Sequence, residues 1–114
     1  MQSKRNEATG DGIYRLVYEV VKKIPKGKVA SYGEIARAIG IKDSRVVGWT
    51  LHKNPDQTRI PCHRVVDEDG NLSNDFAFGG YKKQKILLLD EGVVFVRERR
   101  VKLYRGREIQ SLDD

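Results

Sequence analysis

Pro55 and Gly40 punctuate the stretch that most restricts how this chain can fold. Proline biases the residue before it away from the helical region, so no helix runs past Asn54. Glycine closes helices in the left-handed conformation, so a helix carrying Ile35, Ala36 and Ile39 ends at Gly40, with Ser31 as its cap. Gly40-Ile41-Lys42-Asp43 then reads as a turn, and a second helix starts at Asp43 or Ser44, either of which can cap it. Two short helices around such a turn make either a helix-turn-helix or a plain helical corner, and spacing alone leaves both open. In the second helix Val46, Val47 and Leu51 can face inward, which leaves Arg45, Gly48, Trp49, His52 and Lys53 outward. An exposed glycine inside a helix costs about 1 kcal/mol against alanine. Close approach of another backbone, such as a DNA strand, would explain Gly48.

The flanks supply a core for this pair. Ile13, Leu16, Val17, Val20, Val21 and Ile24 follow three-four spacing and predict an amphipathic helix over 13–24, stopped by Pro25 and Gly27. Residues 1–11 are polar and read as a disordered tail, and 12–114 as a single domain. Asp67-Glu68-Asp69-Gly70 reads as a solvated acidic turn, because it lacks calcium-loop spacing. A loop over 73–80 holds Phe76, Phe78 and Gly79-Gly80. A helix over 81–91 follows, carrying Ile86, Leu87 and Leu89 and closed by Gly92. Apolar runs at 93–96 and 101–104 predict a short hairpin. The expected fold is α/β and mostly helical: a winged-helix-like helix-turn-helix, a buried cysteine loop and a C-terminal β-hairpin.

Charge adds a direction. The net charge is +6, and residues 1–57 hold 11 Lys+Arg against 6 Asp+Glu, while 58–114 hold 11 against 10. The basic excess therefore precedes the cysteine, which favours a polyanionic partner on that side, although a solvated surface can carry a similar charge. No apolar run reaches membrane-spanning length and no signal-peptide core is present, so no membrane partner is expected. One cysteine and two histidines do not compose a structural zinc set, so no metal site is expected.

The single cysteine lies in Ile60-Pro61-Cys62-His63-Arg64-Val65-Val66. It is either inert packing or a reactive thiol, and spacing leaves the choice open. His63 offers a base that can generate the nucleophilic thiolate. Adjacent side chains point apart on a strand or helix, so Cys62 and His63 meet only across a tight turn or through a water. Pro61 donates no ladder hydrogen bond, which excludes an ordinary central strand.

The core Pro61-Cys62-His63-Arg64-Val65 resembles the active-site motif of the O6-alkylguanine-DNA alkyltransferases, which move an alkyl group from damaged guanine onto that cysteine once and irreversibly. The likeness spans roughly residues 13–92. Ile24-Pro25-Lys26-Gly27 and Ser31-Tyr32-Gly33-Glu34-Ile35-Ala36 look like the family's entry to its helix-turn-helix. Ser44-Arg45-Val46-Val47-Gly48 looks like its recognition helix, Asn54-Pro55 like its hinge, and Leu89-Asp90-Glu91-Gly92 like the segment bearing its acid. The resemblance implies Cys62 as alkyl acceptor, His63 as its base through a water, and Glu91 as the group that orients the imidazole. It implies Tyr32 as hydroxyl donor to the guanine, Arg45 as the side chain that fills the gap left by a flipped nucleotide, and Asn54 as the tie between recognition helix and active-site loop. Ser44, Gly48, Trp49 and Tyr32 would face DNA beside Arg45.

Two features depart from the family pattern. Ala77 and Phe78 stand where the pocket loop usually has a tyrosine and a small or polar residue. The ending EGVVFVRERRVKLYR resembles the alkyltransferase-like proteins, which bind alkylated DNA and recruit excision repair with Trp or Ala in place of the cysteine. The retained Cys62 favours transfer, with that non-transferring role as the alternative and a basic DNA binder with a packing cysteine as a third class. The resemblance implies a single-turnover methyltransferase, monomeric, acting on double-stranded DNA containing O6-alkylguanine without cofactor. It would be cytoplasmic and nucleoid-associated, or nuclear in a eukaryote.

Overall fold

A computed structural model describes residues 10–73 and 76–103. Helix α1 (Gly10–Lys22) is followed by strand β1 (Ala30–Ser31), helix α2 (Tyr32–Ile39) and helix α3 (Arg45–His52). A 3-10 turn (Cys62–Arg64) leads into strand β2 (Val65–Val66), then helix α4 (Gly80–Asp90) and strands β3 (Phe95–Arg97) and β4 (Arg100–Val101). No described helix is long and apolar enough to cross a membrane.

The helix pair forms where its punctuation places it. Ser31 caps α2 through a reciprocal box: its hydroxyl accepts from the Glu34 amide at 3.0 Å, and the Glu34 carboxylate accepts from the Ser31 amide at 2.9 Å. Gly40 ends α2 at φ 80°, the left-handed region that other residues rarely adopt. At the start of α3 it is Asp43, not Ser44, whose side chain caps, accepting from the Arg45 amide at 3.0 Å. Ser44 is helical at this junction and makes no side-chain cap bond. The helix stops at His52, two residues before Asn54.

Three helices enclose the main core. Val17, Val21 and Ile24 from the first segment meet Ile35 and Ala36 of α2 and Val47 and Leu51 of α3. The Tyr18 hydroxyl donates to the Thr50 carbonyl at 2.8 Å and pins α3 to α1. Helix α1 begins at Gly10, three residues before its apolar periodicity does.

A parallel two-residue ladder, invisible in the periodicity, joins distant parts of the chain: Ala30 pairs with Val65 and Ser31 with Val66. Strand alternation sends Ala30 and Val65 to the main core, and Val29 and Val66 to a second cluster with Leu72, Leu88, Val93 and Val101. The expected hairpin is present as β3 and β4, antiparallel with an irregularity between Phe95 and Arg97. Both strands are shorter than the apolar runs suggested, β3 starting two residues later and β4 one residue earlier, and Tyr104 lies outside the described residues. The inward face of α4 is partly polar. Gln84 and Leu88 are buried, whereas Ile86 and Leu89 are 59% and 51% exposed. The reason is polar: Gln84 donates to the carbonyls of His63 (3.0 Å) and Val65 (3.1 Å), which a two-residue ladder leaves in need of donors.

Candidate active site and DNA-facing cleft

The 3-10 turn at Cys62–Arg64 gives three successive side chains three destinations. Cys62 and His63 are both buried. His63 Nε2 lies 2.9 Å from Glu91 Oε2. Arg64 grips the same carboxylate, donating from Nε to Oε1 at 3.0 Å and from Nη2 to Oε2 at 2.7 Å, and from Nη1 to the Ile24 carbonyl at 2.7 Å. Glu91 stands at the C-terminal end of α4, so the arrangement needs the whole fold between residues 24 and 91.

The charges of this cluster follow from its contacts. Burial alone would raise the Glu91 carboxyl, but hydrogen bonds from Arg64 and His63 hold it at about 2. The carboxylate is therefore ionised, and His63 must keep its proton on Nε2 to donate to it. Burial pushes the His63 imidazolium down in pKa, Glu91 opposes that and Arg64 adds to it, so the ring is neutral near pH 7. Nδ1 is then the acceptor nitrogen. It receives a hydrogen bond from Gln57 Nε2 at 2.7 Å, and Gln57 Oε1 accepts from Cys62 Sγ at 3.1 Å. An amide thus stands where direct or water-mediated contact between thiol and imidazole was expected.

A reactive Cys62 requires a pKa below that of a free thiol, and the resting geometry gives the opposite direction. Burial raises the Cys62 pKa, and hydrogen bonds from the Asn54 side chain and the backbone at Cys62 only partly offset it. Asn54 itself is buried; its Nδ2 donates to the Ile60 carbonyl at 2.8 Å and its Oδ1 accepts from the Asp56 amide at 2.8 Å. It thereby joins the end of α3 to the loop that delivers the cysteine.

Cys62 opens onto a cleft of about 920 Å³. Tyr32, Ser44, Arg45, Gly48 and Trp49 line it together with Leu51 and His52, so the helix-turn-helix residues and the thiol share one opening. The β1–β2 ladder accounts for this, since it sets the first residue of α2, Tyr32, beside the strand that follows the cysteine turn. Trp49 is 58% exposed. Arg45 folds back on Asp43 in an exposed bidentate pair, Nε to Oδ1 at 2.9 Å and Nη2 to Oδ2 at 2.8 Å. A Cβ built at Gly48 meets only Tyr32 Cε1, at 4.0 Å, so nothing inside the domain requires glycine there. Asp67, Ser73, Phe76, Ala77, Gln84 and Arg99 complete the lining. Phe76 and Phe78 pack edge to face with centroids 5.8 Å apart, and only Phe76 of the two lines the cleft.

Sequence reasoning missed Gln57, Arg64, Gln84 and Arg99. Gln57 and Gln84 carry no spacing signal, since an amide advertises no chemistry until its partners are known. Arg64 sits inside the cysteine motif, and its adjacency to His63 was the available signal. Among the described residues no group of three or more His, Cys, Asp or Glu could hold a metal ion.

A helix-turn-helix whose outer face and a buried cysteine open on one cleft, with a histidine–glutamate pair behind the sulfur, defines a DNA-binding domain built around a thiol. Residues 12–93 match the family model described as 6-O-methylguanine DNA methyltransferase, DNA binding domain, and the chain belongs to that family. It is 40% identical over 84 residues to alkyltransferase-like protein 1 of Schizosaccharomyces pombe, covering 73% of this chain and 78% of that protein. It is 41% identical over 85 residues to the methylated-DNA–protein-cysteine methyltransferase of Metallosphaera sedula, and spans 49% of that longer protein. The crystal structure of S. pombe Atl1 in complex with damaged DNA containing O6-carboxymethylguanine superposes with a TM-score of 0.74 at 35% identity, over 88% of this chain and 95% of that one. Mycobacterium tuberculosis O6-methylguanine methyltransferase gives 0.64 at 36% identity, over 73% and 50%.

Proposed function

We propose that this domain repairs O6-alkylguanine in duplex DNA by transferring the alkyl group to Cys62, once and irreversibly. The observation that carries the proposal is a thiol lining the same cleft as the recognition helix, with a neutral imidazole of fixed tautomer nearby. Guanine O6 is inaccessible in a stacked duplex, so the nucleotide must be extruded at a cost of roughly a few kcal/mol. Arg45, released from Asp43, is the cation that fills the vacated stack, and cations are favoured at the groove. Ser44, Gly48 and Trp49 contact the strand beside it. The Cys62 S–H proton passes through a water to His63 Nδ1, and Glu91 holds the imidazolium. The sulfur forms a bond to the alkyl carbon, the carbon–O6 bond breaks with its electron pair left on guanine, and the Tyr32 hydroxyl offsets that charge. Asn54 holds the cysteine loop in register with the recognition helix.

A second reading is favoured by the raised Cys62 pKa and by the similarity to alkyltransferase-like protein 1 across most of its length. In it the domain binds the lesion without transfer and hands it to excision-repair proteins. Mass spectrometry after incubation with an O6-methylguanine duplex decides between them. Transfer adds one methyl group to the peptide containing Cys62; tight binding with Cys62 unmodified establishes the second reading. In either case the protein works where the DNA is, in the cytoplasm of a cell with a nucleoid or in a nucleus.

Gly48 provides an independent check on the DNA-facing surface. With open space around its Cα, Gly48→Ala is expected to stabilise the domain by about 1 kcal/mol through helix propensity, read as a raised denaturation midpoint. The same methyl group obstructs close approach of a DNA backbone, so duplex affinity falls. A variant that gains stability and keeps full affinity would remove α3 from the interface.

A further inference from the structure

We propose that Gln57 holds Cys62 in a resting, protonated state, and that its side-chain amide must leave the space between sulfur and imidazole before His63 can act as the base. This rests on the transferase reading only for the final clause, since the resting state is a property of the free protein.

The geometry fixes which end of the amide faces which partner. The ionised Glu91 takes the Nε2 proton of His63, which leaves Nδ1 bare. Only the NH2 end of Gln57 can approach a bare Nδ1 at 2.7 Å, so the carbonyl end must face Cys62 Sγ, 3.1 Å away. A carbonyl oxygen can accept from S–H but can only repel a thiolate. The amide therefore favours the thiol, and it does so from the direction in which the proton must travel. An amide does not relay that proton: its nitrogen is no base, and passage through it would require the imidic acid form. A water in the same place donates and accepts at once and completes the path.

The two nearby amides therefore act in opposite senses. Asn54, whose Nδ2 donates to the Ile60 carbonyl, lowers the Cys62 pKa, whereas Gln57 accepts from the sulfur and favours the thiol. The backbone around Gln57 is fixed, because the Asp56 carboxylate accepts from the amides of Thr58 (3.0 Å) and Arg59 (3.3 Å), and Ile60 N donates to the Asp56 carbonyl at 2.9 Å. The half-buried Gln57 side chain can thus rotate away with the loop left in place. The other titratable and charged groups about Cys62 are Tyr18 from α1, Tyr32 on α2, and Arg64 with Glu91 behind the imidazole. None of them stands between sulfur and Nδ1.

The experiment is the rate of Cys62 alkylation by iodoacetamide as a function of pH, in the full chain without DNA. Access changes the limiting rate at high pH, whereas thiolate stability changes the midpoint, so the two are read separately. Gln57→Ala is expected to lower the midpoint by about one unit, which is about tenfold more thiolate at neutral pH. Gln57→Asn, an amide one methylene too short to span both partners, shifts it in the same direction and serves if the alanine variant misfolds. Adding His63→Ala should reduce the shift, because the freed imidazole supplies part of it, and leave the part due to the lost carbonyl repulsion. An unchanged or raised midpoint overturns the proposal, and so does a lowered midpoint that His63→Ala leaves at full size. Should the wild-type protein bind lesion DNA without transfer, the midpoint still reports on Gln57, so the two failures are distinguishable.

Discussion

Replacing Cys62 by serine is expected to abolish alkyl transfer while affinity for an O6-methylguanine duplex stays within about twofold, less than 0.5 kcal/mol. The two side chains have nearly the same size, and serine can keep the hydrogen bond to Gln57 Oε1 that the thiol makes now. The groups proposed to hold DNA, from Tyr32 to Trp49, line the cleft independently of the sulfur. Transfer differs because the nucleophile is the thiolate, and a thiol ionises near pH 8.5 whereas an aliphatic hydroxyl is a far weaker acid. A neutral imidazole cannot generate the alkoxide. The checks are the mass of the peptide carrying residue 62 and a binding titration on the same duplex. Methyl transfer to another residue of the serine variant would show that Cys62 is not the acceptor.

Removing the Glu91 carboxylate is expected to destabilise the domain strongly. Its side chain is 11% exposed, and the Arg64 and His63 side chains that donate to it are 14% and 7% exposed. Glu91→Ala leaves a largely buried guanidinium without its counter-charge, which costs roughly 3 kcal/mol. In a domain of this size that lowers the melting temperature by on the order of 15 °C. The pH dependence gives a second measurement of the same contact. The folded carboxyl titrates at about 2 against an ordinary 4.5, so between those values the unfolded chain binds more protons. The stabilisation is complete above pH 4.5 and is lost as pH falls from there to 2, about 3 kcal/mol in all. His63 acts earlier in the same direction: its folded pKa is lowered from 6.5, so acidification below that value already favours the unfolded chain. Glu91→Gln should flatten the lower window and leave an acid-sensitive step due to His63. A Glu91→Ala variant that melts with the wild type would mean that Arg64 finds another partner.

What the chain determines locally is its punctuation and its one reactive motif. Ser31 and Gly40 cap α2 because a hydroxyl and a missing Cβ solve the problems of a helix end without outside help. Three-four spacing predicts α1, and charged residues between two apolar runs predict the hairpin. Cys62 beside His63 narrows the chemistry, and the surrounding motif ties it to Tyr32, Arg45, Asn54 and Glu91. Tertiary structure decided everything that depends on pairs far apart in sequence. The ladder of Ala30–Ser31 with Val65–Val66 contains too few residues to leave a periodic signal, yet it sets the recognition helices and the thiol on one cleft. The inward face of α4 holds Gln84 beside Leu88, with Ile86 exposed, because the Gln84 amide donates to the carbonyls of His63 in the cysteine turn and Val65 in β2. The direction of the Cys62 pKa shift depends on burial, and the partner of the thiol is an amide five residues away that no spacing rule marks. A local pattern shows which groups a chain owns; only packing shows which of them lose water and which then meet, and those two facts set the protonation of Cys62, His63 and Glu91.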